Sequence, residues 1–163
     1  MPRLPYDDPR LAEVLKLWGV PYVYGAGRPA DALRGDWYFG VQSSLPAAPQ
    51  PHPRGYDCSG LVQVLSVRTG GPIKATDQDR NTAALYKAAR VIVGEPDAEF
   101  GDFVFYGRPG APDHVMFALG GGAVFGACSG TPQTFGLDPR ALCDFRRLRY
   151  WGAFIGVRRI PAA

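Results

Sequence analysis

The sequence is short of the residues from which metal centres and disulfide frameworks are built. It has two histidines, His52 and His114, and three cysteines, Cys58, Cys128 and Cys143. An odd number of irregularly spaced cysteines does not make a disulfide framework. With no CxxC pair and so few histidines, a structural zinc site has no ligand set. Neither a metal nor a cofactor is expected. No apolar run is long enough to span a bilayer. The opening stretch MPRLPYDDPR carries no apolar core of a secretory signal, so synthesis in the cytoplasm without a signal peptide is expected. The formal net charge of +3 is too small to argue for nucleic acid. The locally basic stretch of Arg146, Arg147, Arg149, Arg158 and Arg159 reads as a solvated strand face.

What is present suits a globular chain. Its 163 residues, 46% hydrophobic and 20% charged, fit a single domain over residues 1–163. The 21 glycines and 16 prolines favour turns and short strands over long helices. Leu11, Val14, Leu15 and Trp18 recur at helical spacing, and Gly19 with Pro21 ends that helix. Residues 26–56 form a long Pro/Gly-rich insertion, with Trp37, Tyr38 and Phe39 as its apolar element. It joins Tyr24 to Cys58, which makes it a lid over a cleft or padding for the core. Asp57 is a good N-cap for a buried helix from Cys58 to Val67. Thr76 and Asp79 resemble a capping box, predicting a helix over 77–89. Strands are predicted over 103–106, 114–119, 123–128 and 151–160, with Gly120, Gly121 and Gly122 as a hairpin turn. Helices first and antiparallel strands later is the order of an α+β domain.

Cys58 carries the chemistry in this reading. At a helix start, unpaired backbone N–H groups and the helix dipole favour a negative charge, which lowers a thiol pKa. The same N–H groups suit an oxyanion formed when a thiolate attacks a carbonyl. A nucleophilic cysteine needs a base. His114 opens a strand after a Gly/Pro loop, whereas His52 lies in the proline-rich insertion without rigid support. His114 is therefore the candidate base, and Cys128 and Cys143 are left outside the chemistry.

Successive blocks of the chain resemble the NlpC/P60 cysteine peptidases. They are Pro21-Tyr22-Val23-Tyr24-Gly25, Asp57-Cys58-Ser59-Gly60-Leu61-Val62, Thr76 with Gln78, Gly101-Asp102-Phe103-Val104-Phe105, and His114-Val115 followed by Leu119-Gly120-Gly121-Gly122. The resemblance implies a papain-like α+β fold, with N-terminal helices packed on an antiparallel sheet. It implies a cysteine endopeptidase or amidase that hydrolyses peptide bonds in peptidoglycan stem peptides, with Cys58 and His114 catalytic. Asp57 and Ser59 match positions that help bind the substrate amine in some members. Tyr24 matches a tyrosine near the nucleophile, placed either to assist the oxyanion or to pack.

One departure stands out. The position that usually holds a polar residue orienting the catalytic histidine falls on Gly126. Glycine cannot orient an imidazole, so a water, a backbone carbonyl or another residue must do so, with Ser129 and Gln133 as nearby candidates. Otherwise the protein is a weak or inactive module that binds wall or serves as a structural part. A third option is an amidase or acyltransferase on another substrate, which the fold permits. The segments Gly126–Gly130 and Phe154–Val157 resemble phage-encoded versions of the family. That implies phage tail proteins as partners and action on cell wall as part of a virion.

Overall fold

The structure, a computed structural model, describes residues 3–33, 55–131, 133–134, 136 and 138–162. Most of the 26–56 insertion, including Trp37, Tyr38, Phe39 and His52, lies outside the described residues. Three helices are described: α1 (Leu11–Leu15), α2 (Cys58–Arg68) and α3 (Thr82–Ala88). Six strands follow: β1 (Val91–Val93), β2 (Phe103–Arg108), β3 (Ala111–Gly120), β4 (Ala123–Ala127), β5 (Cys143–Arg147) and β6 (Phe154–Arg159). They form one antiparallel sheet in the order β1-β6-β2-β3-β4-β5. This is the α+β architecture expected from the order of the elements.

Alternation along the strands gives the sheet two apolar faces. Phe103, Phe105, Val115, Phe117, Phe125 and Cys143 join the main core beneath α2. Val104, Tyr106, Met116, Val124, Cys128 and Val157 make a second cluster on the opposite face. Helix α2 is enclosed by α1, α3, the turn Pro29–Leu33 and strands β3 and β4. Leu61, Val62, Val64 and Leu65 are all fully buried, so its sequence is apolar on every side. Each such side chain contributes roughly 1.5–3 kcal/mol.

Gln63 is the largest buried polar side chain of this helix, beside Ser59 and Ser66, and is fully buried. Its Nε2 donates to the Ser59 carbonyl at 3.0 Å, Asp79 Oδ1 at 3.0 Å and the Arg80 carbonyl at 2.9 Å. Its Oε1 accepts the Arg80 N–H at 3.0 Å. One side chain thus fastens the loop before α3 to the middle of α2.

Several local expectations change. The helix predicted over 77–89 begins at Thr82, because Asn81 is its cap and accepts the Ala84 N–H at 2.9 Å. Asp77 instead closes a turn by accepting the Lys74 N–H at 2.9 Å, so the Thr76–Asp79 box does not form. Helix α1 stops at Leu15, and Leu17 rather than Trp18 completes its buried side. Trp18 lies on the surface, its Nε1 donating to Asp144 Oδ1 at 3.0 Å. The β2–β3 hairpin turns at Pro109 and Gly110, so His114 is the fourth residue of β3 and not its first. The last strand is shorter than predicted. Strands β1 and β5 were not predicted at all. They are the two edges of the sheet, and edges carry exposed and charged residues that blur alternation. The basic stretch is largely matched by acids: Arg146 pairs with Asp144, Arg149 with Glu95, and Arg159 with Asp102 and Glu99. No helix among the described residues is long and apolar enough to cross a membrane.

The Gln63 contacts give a stability prediction. Gln63→Leu leaves the Arg80 N–H and carbonyl without their partner, and each buried group so stranded costs ~1–3 kcal/mol. The melting temperature should fall by roughly 5–10 °C. An unchanged thermal transition would show that this loop is held by other contacts.

Candidate active site

The N-terminus of α2 is built by a crossing of chain segments. Val23 N–H donates to the Tyr56 carbonyl at 3.0 Å, Tyr56 N–H to Pro21 at 3.2 Å and Asp57 N–H to Ala26 at 3.0 Å. Asp57 is extended and caps the helix, its Oδ1 accepting the Gly60 N–H at 2.7 Å. Its other oxygen accepts the Gly25 N–H at 3.1 Å, and the Ser59 hydroxyl donates to Oδ1 at 3.3 Å. Gly60 is required by the same crossing. A Cβ there would stand 2.2 Å from the Ala26 carbonyl oxygen and 2.8 Å from Gly27 Cα.

Cys58 is the first residue of α2 and is 8% exposed. Its Sγ lies 3.6 Å from the Thr82 hydroxyl at the start of α3. The backbone of Val115 and of Ser59 favours the charged form of the sulfur. Cys58 and Val115 share the main core. Burial, reinforced by Asp57, pushes the Cys58 thiol up to about 11, and the hydrogen bonds only moderate this. The expected lowering at a helix start does not prevail, because desolvation of the sulfur outweighs the dipole.

Val115 turns toward α2, so its neighbour His114 turns to the opposite face of β3. The imidazole lies among Tyr106, Trp151 and Tyr150, at ring centroid distances of 5.6, 5.9 and 6.4 Å. Its Nε2 is 2.7 Å from the Tyr150 hydroxyl. Burial pushes His114 down to about 4, so the ring is neutral at neutral pH. Among the described residues no hydrogen bond joins the imidazole to the thiol. Val115, the chain neighbour of His114, shares the main core with Cys58.

The remaining predicted residues sort unevenly. Asp57 and Ser59 flank the thiol, but both spend hydrogen bonds on the helix start. Burial is the main reason the Asp57 carboxyl is pushed up to about 7, despite its three donors. Tyr24 is half-buried against the main core, its N–H donating to the Thr134 carbonyl at 2.7 Å. Ser129 and Gln133, the candidates for orienting the imidazole, are both exposed and neither contacts it. Tyr150, Tyr22 and Thr82 were not foreseen. Burial and then Cys58 and Asp57 push the Tyr22 hydroxyl up, which places this tyrosine beside the thiol. Tyr22 stands in the same motif block as Tyr24. Tyr150 follows β5 and has no local signal.

A helix-start cysteine pressed on an antiparallel sheet, beside a histidine on that sheet, defines a papain-like α+β protein. The model of the NlpC/P60 family matches residues 19–134, and the chain belongs to that family. Among solved structures it is similar to RipB, a peptidoglycan hydrolase from Mycobacterium tuberculosis, with TM-score 0.62 and 26% identity over 94% of this chain and 64% of RipB. A lipoprotein-like NLP/P60 protein from Staphylococcus aureus matches with TM-score 0.58 and 23% identity over 94% of this chain and 41% of that one. RipD from M. tuberculosis, described as a non-catalytic NlpC/p60 domain protein adapted to peptidoglycan binding, matches with TM-score 0.60 and 21% identity over 92% of each chain. The chain thus spans less than two thirds of the first two of these proteins. No curated protein sequence matches it.

The opposed shifts of Asp57 and His114 predict a pH signature in stability. His114, lowered on folding, makes stability fall as pH drops from the ordinary imidazole range toward 4, because only the unfolded chain takes up the proton. Asp57, raised on folding, makes stability fall as pH climbs from the ordinary carboxyl range toward 7. The two slopes oppose each other between about pH 4 and 6.5. Asp57→Asn, which keeps a capping acceptor, should leave a stability that rises with pH in this window. His114→Asn should leave one that falls. Urea titrations at pH 4.5 and 6.5 check this, and equal slopes in both variants would refute the assignment.

Proposed function

We propose that the protein is a cysteine endopeptidase or amidase acting on the stem peptides of peptidoglycan, with Cys58 as nucleophile and His114 as general base. The observation that carries this reading is that Cys58, at the start of α2, packs in the same core as Val115, whose neighbour His114 carries the only imidazole among the described residues. His114 Nδ1 has no hydrogen-bond partner among the described residues. In this reading it is that nitrogen that takes the thiol proton.

Both partners rest neutral, so the proton moves during attack and not before it. Nδ1 takes the Cys58 proton as Sγ bonds to the amide carbon, and the carbonyl π electrons move onto oxygen. The Cys58 and Ser59 N–H groups at the start of α2 suit that oxyanion, the Gly60 N–H being held by Asp57. Collapse of the tetrahedral species breaks the C–N bond, and the imidazolium returns its proton to the leaving amine. Water, deprotonated by His114, then hydrolyses the thioester and restores the thiol. In this reading Asp57 and Ser59 border the substrate amine, and Tyr24 borders the oxyanion side. A carboxyl that titrates near 7 attracts an ammonium group better as pH rises through 7. KM should fall across that range.

Gly126 favours a second reading, a wall-binding module without catalysis. Delivery within a phage tail belongs to the proposal as well. It rests on the sequence resemblance of Gly126–Gly130 and Phe154–Val157, and mass spectrometry of purified virions tests it.

Digestion of purified peptidoglycan, with product masses read for the native protein and variants, is the deciding experiment. The hydrolase reading expects released peptides, none with Cys58→Ala, and a fall of about 10³-fold or more with His114→Ala. Co-sedimentation with wall and no products establishes the binding module. The neutral resting pair sets the pH behaviour. Turnover should decline only as pH approaches 4, where His114 becomes protonated. Alkylation of Cys58 by iodoacetamide should keep accelerating toward pH 11, with no plateau near neutrality. A neutral plateau would reveal a preformed thiolate–imidazolium pair.

A further inference from the structure

We propose that Tyr150 is the positioning residue that sets the His114 imidazole in place of the side chain missing at Gly126. The proposal rests on the catalytic reading above and supplies the orienting group that reading lacks.

The first observation is why residue 126 cannot do the work. A Cβ there would fall 2.3 Å from Met116 Sδ and 3.1 Å from its methyl carbon. Met116 is fully buried two residues beyond His114 on the same face of β3. Its thioether occupies the volume through which a side chain from β4 would reach the imidazole. Methionine at 116 and glycine at 126 are one packing solution, and it removes the usual orienting group.

The second observation is what reaches the ring instead. Tyr150 sits in the turn between β5 and β6, held by its N–H to the Arg147 carbonyl at 2.9 Å. Its ring packs edge-on against Tyr106 at 5.3 Å, and its hydroxyl lies 2.7 Å from His114 Nε2. Trp151 adds a further aromatic wall at 5.9 Å from the imidazole. The ring is therefore confined by packing and by one hydrogen bond.

The third observation is which nitrogen that bond leaves free. Tyr150 holds Nε2, and no hydrogen bond reaches Nδ1 among the described residues. A base needs its lone pair on Nδ1, so in the catalytic reading the neutral imidazole carries its proton on Nε2 and donates it to Tyr150 Oη. The Cys128 thiol on the same face donates instead to the Gly126 carbonyl at 3.3 Å.

Tyr150→Phe tests this in the full chain, by turnover on stem peptide and by ¹⁵N NMR of the imidazole. Phenylalanine keeps the ring packing and removes only the hydroxyl. It should lower kcat about 100-fold with KM within about twofold, as loss of alignment does. In the native protein the shifts should place the imidazole proton on Nε2, and in Tyr150→Phe they should converge toward averaged tautomers. Native kcat and unchanged imidazole shifts in Tyr150→Phe overturn the proposal. So does a loss confined to KM. If Tyr150→Phe does not fold, the shifts of the native protein decide, and a proton resident on Nδ1 overturns it. Should the native protein release nothing from wall, the catalytic reading falls separately. The shifts alone then judge the Tyr150 contact.

Discussion

The Asp57 carboxylate is the constraint on which the site depends. It accepts the Gly60 N–H inside α2 and the Gly25 N–H outside it, while the Asp57 N–H returns to Ala26. A cap of this kind is worth about 1 kcal/mol in an ordinary helix. Here it also decides where the first turn of a buried helix stands relative to the 23–27 segment. Gly60 permits that contact because any Cβ would strike the Ala26 carbonyl. Cys58 lies between these two residues, so its sulfur is placed by the backbone of three segments and not by its own packing.

The placement has an electrostatic consequence. A thiol brought deep enough to join the main core is also desolvated, and desolvation dominates its titration. The imidazole, half-buried in the aromatic cluster, is pushed the other way. Each shift disfavours a charged form, so the resting state is two neutral groups and the ion pair arises only along the reaction. Asp57 contributes by its charge as well as its cap, since a carboxylate beside the sulfur opposes a thiolate. The helix-start argument and the burial argument are both sound physics. At 8% exposure burial prevails.

The sheet's second face shows how one volume is shared among distant positions. Met116, Gly126 and Cys128 lie on neighbouring strands and fill a single layer. Space taken by the methionine is denied to residue 126, and the hydrogen-bonding capacity left over is the Gly126 carbonyl and the Cys128 thiol. Tyr150 arrives from the β5–β6 turn to meet both this layer and the imidazole.

The sequence by itself determined whatever depends on neighbours along the chain. Asp57 as cap, the enclosed α2 behind it, the β3–β4 hairpin at Gly120 to Gly122 and the α+β order were all legible. Each follows from local spacing, composition or turn chemistry. It also placed Cys58 at a helix start and named the family from ordered blocks. Elements whose signals come from elsewhere were not legible. Strands β1 and β5 pair at the edges of the sheet; β1 is only three aliphatic residues, largely exposed, and β5 carries charges, so no alternation marked them. Asn81 outcompeted Thr76 because Gln63, far behind in sequence, holds the intervening loop. The neutral state of Cys58 and His114 comes from how deeply other segments bury them, which no local pattern encodes. Tyr150 lies 36 residues from His114 along the chain. Only the packed sheet brings its hydroxyl to the imidazole, because a hydrogen bond depends on distance in space and not on separation in sequence.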